Sequence, residues 1–314
     1  MRKEFSSAIE RIGRQDEKVV FLTGDLGYNA LENVVDALGP RFINAGVAEQ
    51  NMVGMAAGLA YRGYKVFCYS IAPFAVYRCL EQFRNDVCLH KMPVFLVGNG
   101  GGYGYGIMGS THHAIEDLAC LSSLQNVNTY IPAFADEVDP MLDQIITESR
   151  PAYLRLGAGA KTPDGATTSG TFKQIVSSPL SWGTVVALGP VVANVLKALE
   201  DESLAGQFDV YTVTNLPLDL SSDLAHRWAG KPLLVVEEHV SVGGLAQQLS
   251  VQMLSEGAIP SQFVSLSAQG YPNGLYGDQK YHQQLSGLDP ANIARQLTIL
   301  TRQTPSGKAF LANK

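Results

Sequence analysis

A chain of 314 residues, 46% hydrophobic and 17% charged, is composed like well-buried globular protein and is long enough for two cores. Its formal net charge of −6, with no cluster of Lys and Arg, excludes nucleic acid and anionic membrane as expected partners. No run reaches the ~18 apolar residues of a membrane span, and the charged amino terminus MRKEFSSAIERIG is unlike a signal peptide, so a cytoplasmic protein is expected.

Short β-branched or aromatic runs alternate with helical patterns along the chain, the mark of parallel α/β architecture. In the first half, strands are expected over 19–24, 65–70, 93–98, 128–133 and 151–157. Helices are expected near 4–14, 48–62, 74–90, 113–124 and 137–149. Most strands read as continuous apolar runs, as they do when helices cover both faces of a sheet. The Gly-, Thr- and Pro-rich stretch after Gly157 has no hydrophobic period and reads as a linker. A second cycle follows, with strands over 183–189, 209–215, 232–239 and 263–270 and helices near 190–200, 221–229, 243–256 and 290–302. The expected division is therefore a first domain over 1–158, a linker over 159–180 and a second domain over 181–314. Cys68, Cys79, Cys88 and Cys120 lie in apolar segments without CxxC spacing and read as reduced core thiols.

Two segments carry chemistry. The first, GNGGGYGYGIMG (98–109), contains G-x-G-x-x-G at Gly104, Gly106 and Gly109. A dinucleotide site needs that motif at a first βα turn with an acidic residue about 20 positions on, and both are missing. A loop at the carboxyl end of a strand, brought close to a ligand or a subunit, is the plainer reading. Its exit offers Ser110 or Thr111 as a helix cap, with His112 and His113 on the first turn. The second segment is AGVAEQNMVGMAAGLAYRG (45–63), a nearly uncharged helix with Glu49 at its start. A carboxylate in the first turn complements the helix dipole. A buried acid with no basic residue nearby in sequence is also a site candidate, because its burial is costly without a partner.

The stretch from Arg41 to Gly63 resembles the pyrimidine-domain signature of transketolase and deoxyxylulose-phosphate synthase. Three further matches follow in the family's order: FAVYRCLEQFRND from Phe74, GSTHHAIEDLA from Gly109 and PAYLRLG from Pro151. LLVVEEHVSVGGLAQQL from Leu233 is similar to the transketolase C-terminal domain. The resemblance implies two α/β domains, each a mainly parallel sheet flanked by helices, with thiamine diphosphate as cofactor. It implies that Glu49 hydrogen-bonds N1′ of the aminopyrimidine and so activates the thiazolium, while Phe74 stacks on the pyrimidine. His112 matches a histidine that touches the donor near its reacting carbon. Arg78 and Arg155 match positions near the cofactor or the substrate's anionic end, and Asp25 matches a loop near the thiazolium.

The family's G-D-G motif with its later Asn, which holds Mg²⁺ and the diphosphate, is missing: Leu26 follows Gly24-Asp25 and Gln279 follows Gly277-Asp278. The chain thus resembles the second subunit of a split transketolase that transfers two-carbon ketol units between sugars. A partner chain would supply the G-D-G motif and the Mg²⁺ ligands in an α₂β₂ heterotetramer. Met108 stands where the family has an Asp that reads a donor hydroxyl, and Gly100 replaces a second histidine. With Tyr103 and Tyr105 reshaping the pocket, the substrate is expected to differ from ordinary ketose phosphates. The competing readings are the β subunit of a 2-oxoacid dehydrogenase E1 and, in a different class, a non-catalytic assembly partner.

Overall fold

Phe5, Ala8, Ile9 and Ile12 recur at helical spacing, and in the computed structural model they form the buried stripe of helix α1 (Arg2–Gln15). The structure describes residues 1–167, 170–178, 181 and 183–303. They fall into two units: Met1–Thr162 with Asn215–Pro217 and Leu275–Gln279, and Pro163–Thr214 with Leu218–Gly274 and Lys280 onward.

The first unit is built on β1 (Val19–Thr23), β2 (Phe42–Asn44), β3 (Lys65–Ile71), β4 (Val94–Asn99), β5 (Asn128–Tyr130) and β6 (Ala152–Leu156). Its helices after α1 are α2 (Glu32–Leu38), α3 (Glu49–Tyr61), α4 (Ala72–Val76), α5 (Leu80–Gln82), α6 (Asp117–Ser122) and α7 (Val138–Glu148). The sheet runs β5-β6-β4-β3-β1-β2 in parallel, and the segment Asn215–Leu216 adds antiparallel to β5. Interior strands β1 and β6 are buried along their whole length, as continuous apolar runs predict. Phe5 stacks on Tyr69 at 5.7 Å between ring centroids, so α1 closes one face of this sheet. Each such side chain contributes roughly 2–3 kcal/mol by leaving water. Arg11, on the helix's outer side, joins α1 to α7 through Asp139 and Asp143, each at 2.7 Å.

The second unit contains β7 (Phe172–Val176), β8 (Gly183–Leu188), β9 (Phe208–Val213), β11 (Pro232–Glu237) and β12 (Gln262–Ser267), with Asn215–Leu216 numbered β10. They order as β12-β11-β8-β9-β7, parallel except for β7. The helices are α8 (Val192–Ala198), α9 (Ser222–Trp228), α10 (Leu245–Ser255), α11 (Gln279–Leu285) and α12 (Pro290–Gln303). Both units are therefore α/β with mainly parallel sheets, as expected.

Three sequence expectations need correction. The stretch 159–180 is not wholly a connector: in β7 Lys173 and Ile175 are buried between partly exposed neighbours, and this two-residue period pairs with β9. Residues 168, 169, 179 and 180 of the same stretch lie outside the described residues. The single helix expected over 74–90 is broken into α4, α5 and a π-helical stretch, Phe83–Cys88. The helix expected over 113–124 begins only at Asp117, because Ala114 is held in a backbone bridge with Gly102. Ser110 and Thr111 consequently cap no helix, and His112 closes a 3₁₀ turn.

Candidate active site

Open parallel sheets bind ligands outside the carboxyl ends of their strands, and in the first unit the singled-out residues gather at that edge. Strand register sets Ser70 beside Gly98 and Ile71 beside Asn99. Glu49, the first residue of α3, is only 2% exposed. Its Oε1 accepts from Ser70 Oγ at 2.9 Å, and its Oε2 accepts from Arg78 Nη1 at 3.0 Å. A Cβ at position 24 would lie 3.2 Å from Oε1, so Gly24 keeps space beside the carboxylate. The neighbouring Cys79 thiol is pushed up to about 12 by burial, with the charge of Glu49 adding, and is no nucleophile at neutral pH.

Glu49 has no basic residue nearby in sequence, yet the fold brings one to it. Arg78 lies 29 positions away, but the turn after α4 returns it to the carboxylate. The pair answers the cost of a buried charge. The Arg78 guanidinium also lies over the Phe74 ring, its Cζ 4.0 Å from the centroid. The His112 ring meets Phe74 edge-on at 5.1 Å and bonds Thr111 Oγ1 through Nδ1 at 2.9 Å. Glu49, Ser70, Phe74, Arg78 and His112 thus form one cluster.

The other residues divide. Asp25 sits at φ 58°, with its Oδ1 accepting from Asn44 Nδ2 at 2.8 Å, in a cleft shared with Thr23, Gly27 and Tyr28. Arg155 is 4% exposed, and its guanidinium is committed inward: Nε donates to Asp117 Oδ2 at 2.8 Å and Nη2 to the Ala114 carbonyl at 2.6 Å. Tyr153 donates to the same Asp117 oxygen at 2.8 Å. Here Arg155 is the hub of a buried polar network. His113 is likewise buried, with Nε2 at 3.1 Å from the Gly106 carbonyl. Met108 is 53% exposed on a 3₁₀ turn, and the Tyr276 ring lies where a Cβ on the next residue, Gly109, would stand. The phenol of Tyr105 accepts from Asn99 Nδ2 at 2.6 Å.

Sequence reasoning missed Ser70, Asn99 and the role of Asp117. Ser70 carried a usable signal, as a small polar residue at the carboxyl end of an apolar strand. The cluster fits the ring end of thiamine diphosphate: a buried carboxylate for a ring nitrogen, an aromatic face beside it and a small residue leaving room. The guanidinium, planar and rich in N–H groups, already makes contacts of that kind. Among the described residues, no three His, Cys, Asp or Glu side chains gather as a metal site.

Comparison with known proteins agrees with this geometry. The family described as transketolase, pyrimidine binding domain, matches residues 1–160, half of the chain. The chain belongs to the transketolase family. An apulose-4-phosphate transketolase subunit from Phocaeicola vulgatus is 29% identical over 94% of this chain and 95% of its own. The protein of the same name from Actinobacillus succinogenes is 31% identical over 81% of this chain and 82% of its own. A solved structure described as a split gene transketolase, an inactive β4 tetramer, superposes with a TM-score of 0.79 at 27% identity over 95% of this chain and 97% of its own. Within the transketolase family the chain thus matches subunits of its own length. No helix among the described residues is long and apolar enough to cross a membrane.

Proposed function

We propose that this chain is the pyrimidine-binding subunit of a split transketolase, which transfers a two-carbon ketol unit between sugars together with a second polypeptide. The observation that carries the reading is the buried Glu49 carboxylate beside Phe74 at the carboxyl edge of a parallel sheet. We take 1–158 as the pyrimidine-binding domain and 181–314 as the C-terminal domain. The partner brings the G-D-G motif and the ligands of Mg²⁺, in an α₂β₂ assembly working in the cytoplasm. The subunit naming of the relatives, and the inactivity of a tetramer made of β chains alone, support a partner requirement.

Thiamine diphosphate, when bound, supplies the carbon that takes up and releases the ketol unit. Glu49 holds a proton at the ring nitrogen, with Ser70 fixing the orientation of its Oε1. Phe74 would give the ring a face to stack on, a place that the Arg78 guanidinium would have to yield. Asp25, on the loop after β1, would help hold the thiazolium end. His112, fixed by Phe74 and Thr111, donates to a substrate oxygen near the reacting carbon. Arg155 acts through the loop: its bond to Ala114 holds the segment that carries His112. Met108 and Tyr105 face the sugar. Two relatives named for apulose 4-phosphate support a substrate outside the ordinary ketose phosphates.

The test is ketol transfer by the complex purified with its natural partner. Glu49→Gln should lower kcat at least about 100-fold, in the usual range for a positioned acid–base group. Unchanged turnover would favour a non-catalytic role, and decarboxylation of pyruvate without transfer to aldehydes would favour a 2-oxoacid dehydrogenase component. Full activity on xylulose 5-phosphate and ribose 5-phosphate would refute the unusual substrate.

A further inference from the structure

The loop after β4 folds back on itself. Gly100, at φ 74°, carries the Tyr105 ring directly on its backbone: a Cβ there would stand 2.2 Å from Tyr105 Cδ2 and 2.3 Å from Cε2. A side chain at position 100 and the ring at its present place exclude each other. The phenol is fixed at its other end by Asn99 Nδ2, which donates to it at 2.6 Å. A phenolic oxygen that accepts keeps its own proton to give. Among the described residues no acceptor takes that proton, although the ring is only half-buried and lies at the ligand edge of the sheet. Asn99 stands in register with Ile71, next to the Ser70 that orients Glu49, so the phenol is one strand from the reacting centre.

We propose that Tyr105 determines substrate specificity, donating its phenolic proton to an uncharged oxygen of the sugar, and that Gly100 and Asn99 exist at their positions to hold it there. The assignment rests on the ketol-transfer reading above and deepens it. A neutral O–H suits a hydroxyl or carbonyl oxygen, and the turn that follows brings the exposed side chains of Ile107 and Met108, which offer no further donor. The substrate class is a sugar with one hydroxyl met by Tyr105 and an uncharged stretch beside it. In a reversible ketol transfer the carbons of the acceptor occupy the place of the donor's remaining carbons, so an acceptor series reads the same contact.

The whole two-subunit complex, purified through a tag on this chain, is given thiamine diphosphate, Mg²⁺ and hydroxypyruvate. It is then offered glyceraldehyde, lactaldehyde and propanal, aldehydes of equal length that carry two, one and no hydroxyls. In Tyr105→Phe, which keeps the ring on Gly100, the kcat/KM preference for the hydroxylated aldehydes over propanal should fall about tenfold, as for one lost hydrogen bond. The loss should appear in KM. Gly100→Ala, which evicts the ring, should reproduce it. A preference that is unchanged, or a loss equal for all three aldehydes, overturns the assignment and leaves ketol transfer standing. If the wild-type complex transfers to none of them, the ketol-transfer reading fails and the role of Tyr105 falls with it.

Discussion

Arg78 makes with Glu49 and Phe74 the two contacts that the proposed function gives to the pyrimidine ring: an N–H donated to the carboxylate at 3.0 Å, and a planar group over the aromatic face. Cofactor entry must therefore break the ion pair. Arg78→Met should lower the stability of the cofactor-free complex by about 1–2 kcal/mol. That is less than for a fully buried pair, because the Arg78 side chain is 45% exposed. It should also increase the gain in melting temperature on adding thiamine diphosphate, since no competing contact remains. Thermal unfolding with and without cofactor checks both, and a smaller gain than wild type would assign Arg78 to holding the cofactor. At this scale Glu49 was legible because it is the sole acid of a nearly uncharged helix. The partners were not. Arg78 reaches it across 29 positions and Asp117 meets Arg155 across 38, distances that no local pattern encodes. Tyr105 on Gly100 is invisible to spacing for another reason: the sequence lists a missing side chain at 100, while only the fold says what fills the space.

The E-E-H-x-x-x-G-G segment has a mechanical explanation. Glu237, at the end of β11, turns its carboxylate onto the start of α10, accepting from the Leu245 N–H at 2.5 Å and the Ala246 N–H at 3.0 Å. This satisfies two orphan donors and places a negative charge at the helix's positive end. Gly244 leaves the room: a Cβ there would be 2.3 Å from Glu237 Oε2 and 2.5 Å from the Val240 carbonyl. Neither neighbour is a flexible side-chain end, since the carboxylate is pinned by the helix it caps. Gly244→Ala should therefore cost the second unit about 3 kcal/mol, the upper range for overpacking. Both tryptophans of the sequence, at 182 and 228, fall within the second unit's residue range, so fluorescence-detected urea unfolding reports on it selectively. An unchanged midpoint would remove this role for the motif. Long apolar strands such as those around Phe67, Phe95 and Val235 were legible from composition. The three-residue β2, the edge strand β7 and the two-residue β10 were not. Short edge strands form through pairing with distant partners, as β10 does with β5, rather than through their own pattern.

At the scale of the whole molecule, the proposed function gives the described residues of this chain the ring end of a cofactor site and leaves the phosphate end to the partner. Glu49, Ser70 and Phe74 supply a carboxylate, its orienting hydroxyl and an aromatic face, yet no metal-binding group of acids or histidines appears among the described residues. A diphosphate is held chiefly through Mg²⁺ bridged to one or two carboxylates and through charge-assisted bonds. If the partner supplies those, this chain alone should bind thiamine and thiamine diphosphate with dissociation constants within about threefold of each other, with Mg²⁺ making little difference. The complex should prefer the diphosphate by at least about 100-fold, equivalent to roughly 2.7 kcal/mol contributed across the chain boundary. Titration calorimetry of the isolated chain and of the complex, each with both ligands and with and without Mg²⁺, measures the two ratios. A strong Mg²⁺-dependent preference for the diphosphate in the isolated chain would mean that this polypeptide builds the phosphate site itself, and the division of labour between two subunits would have to be redrawn. Equal ratios near one in both states would mean that the partner contributes no phosphate site at all.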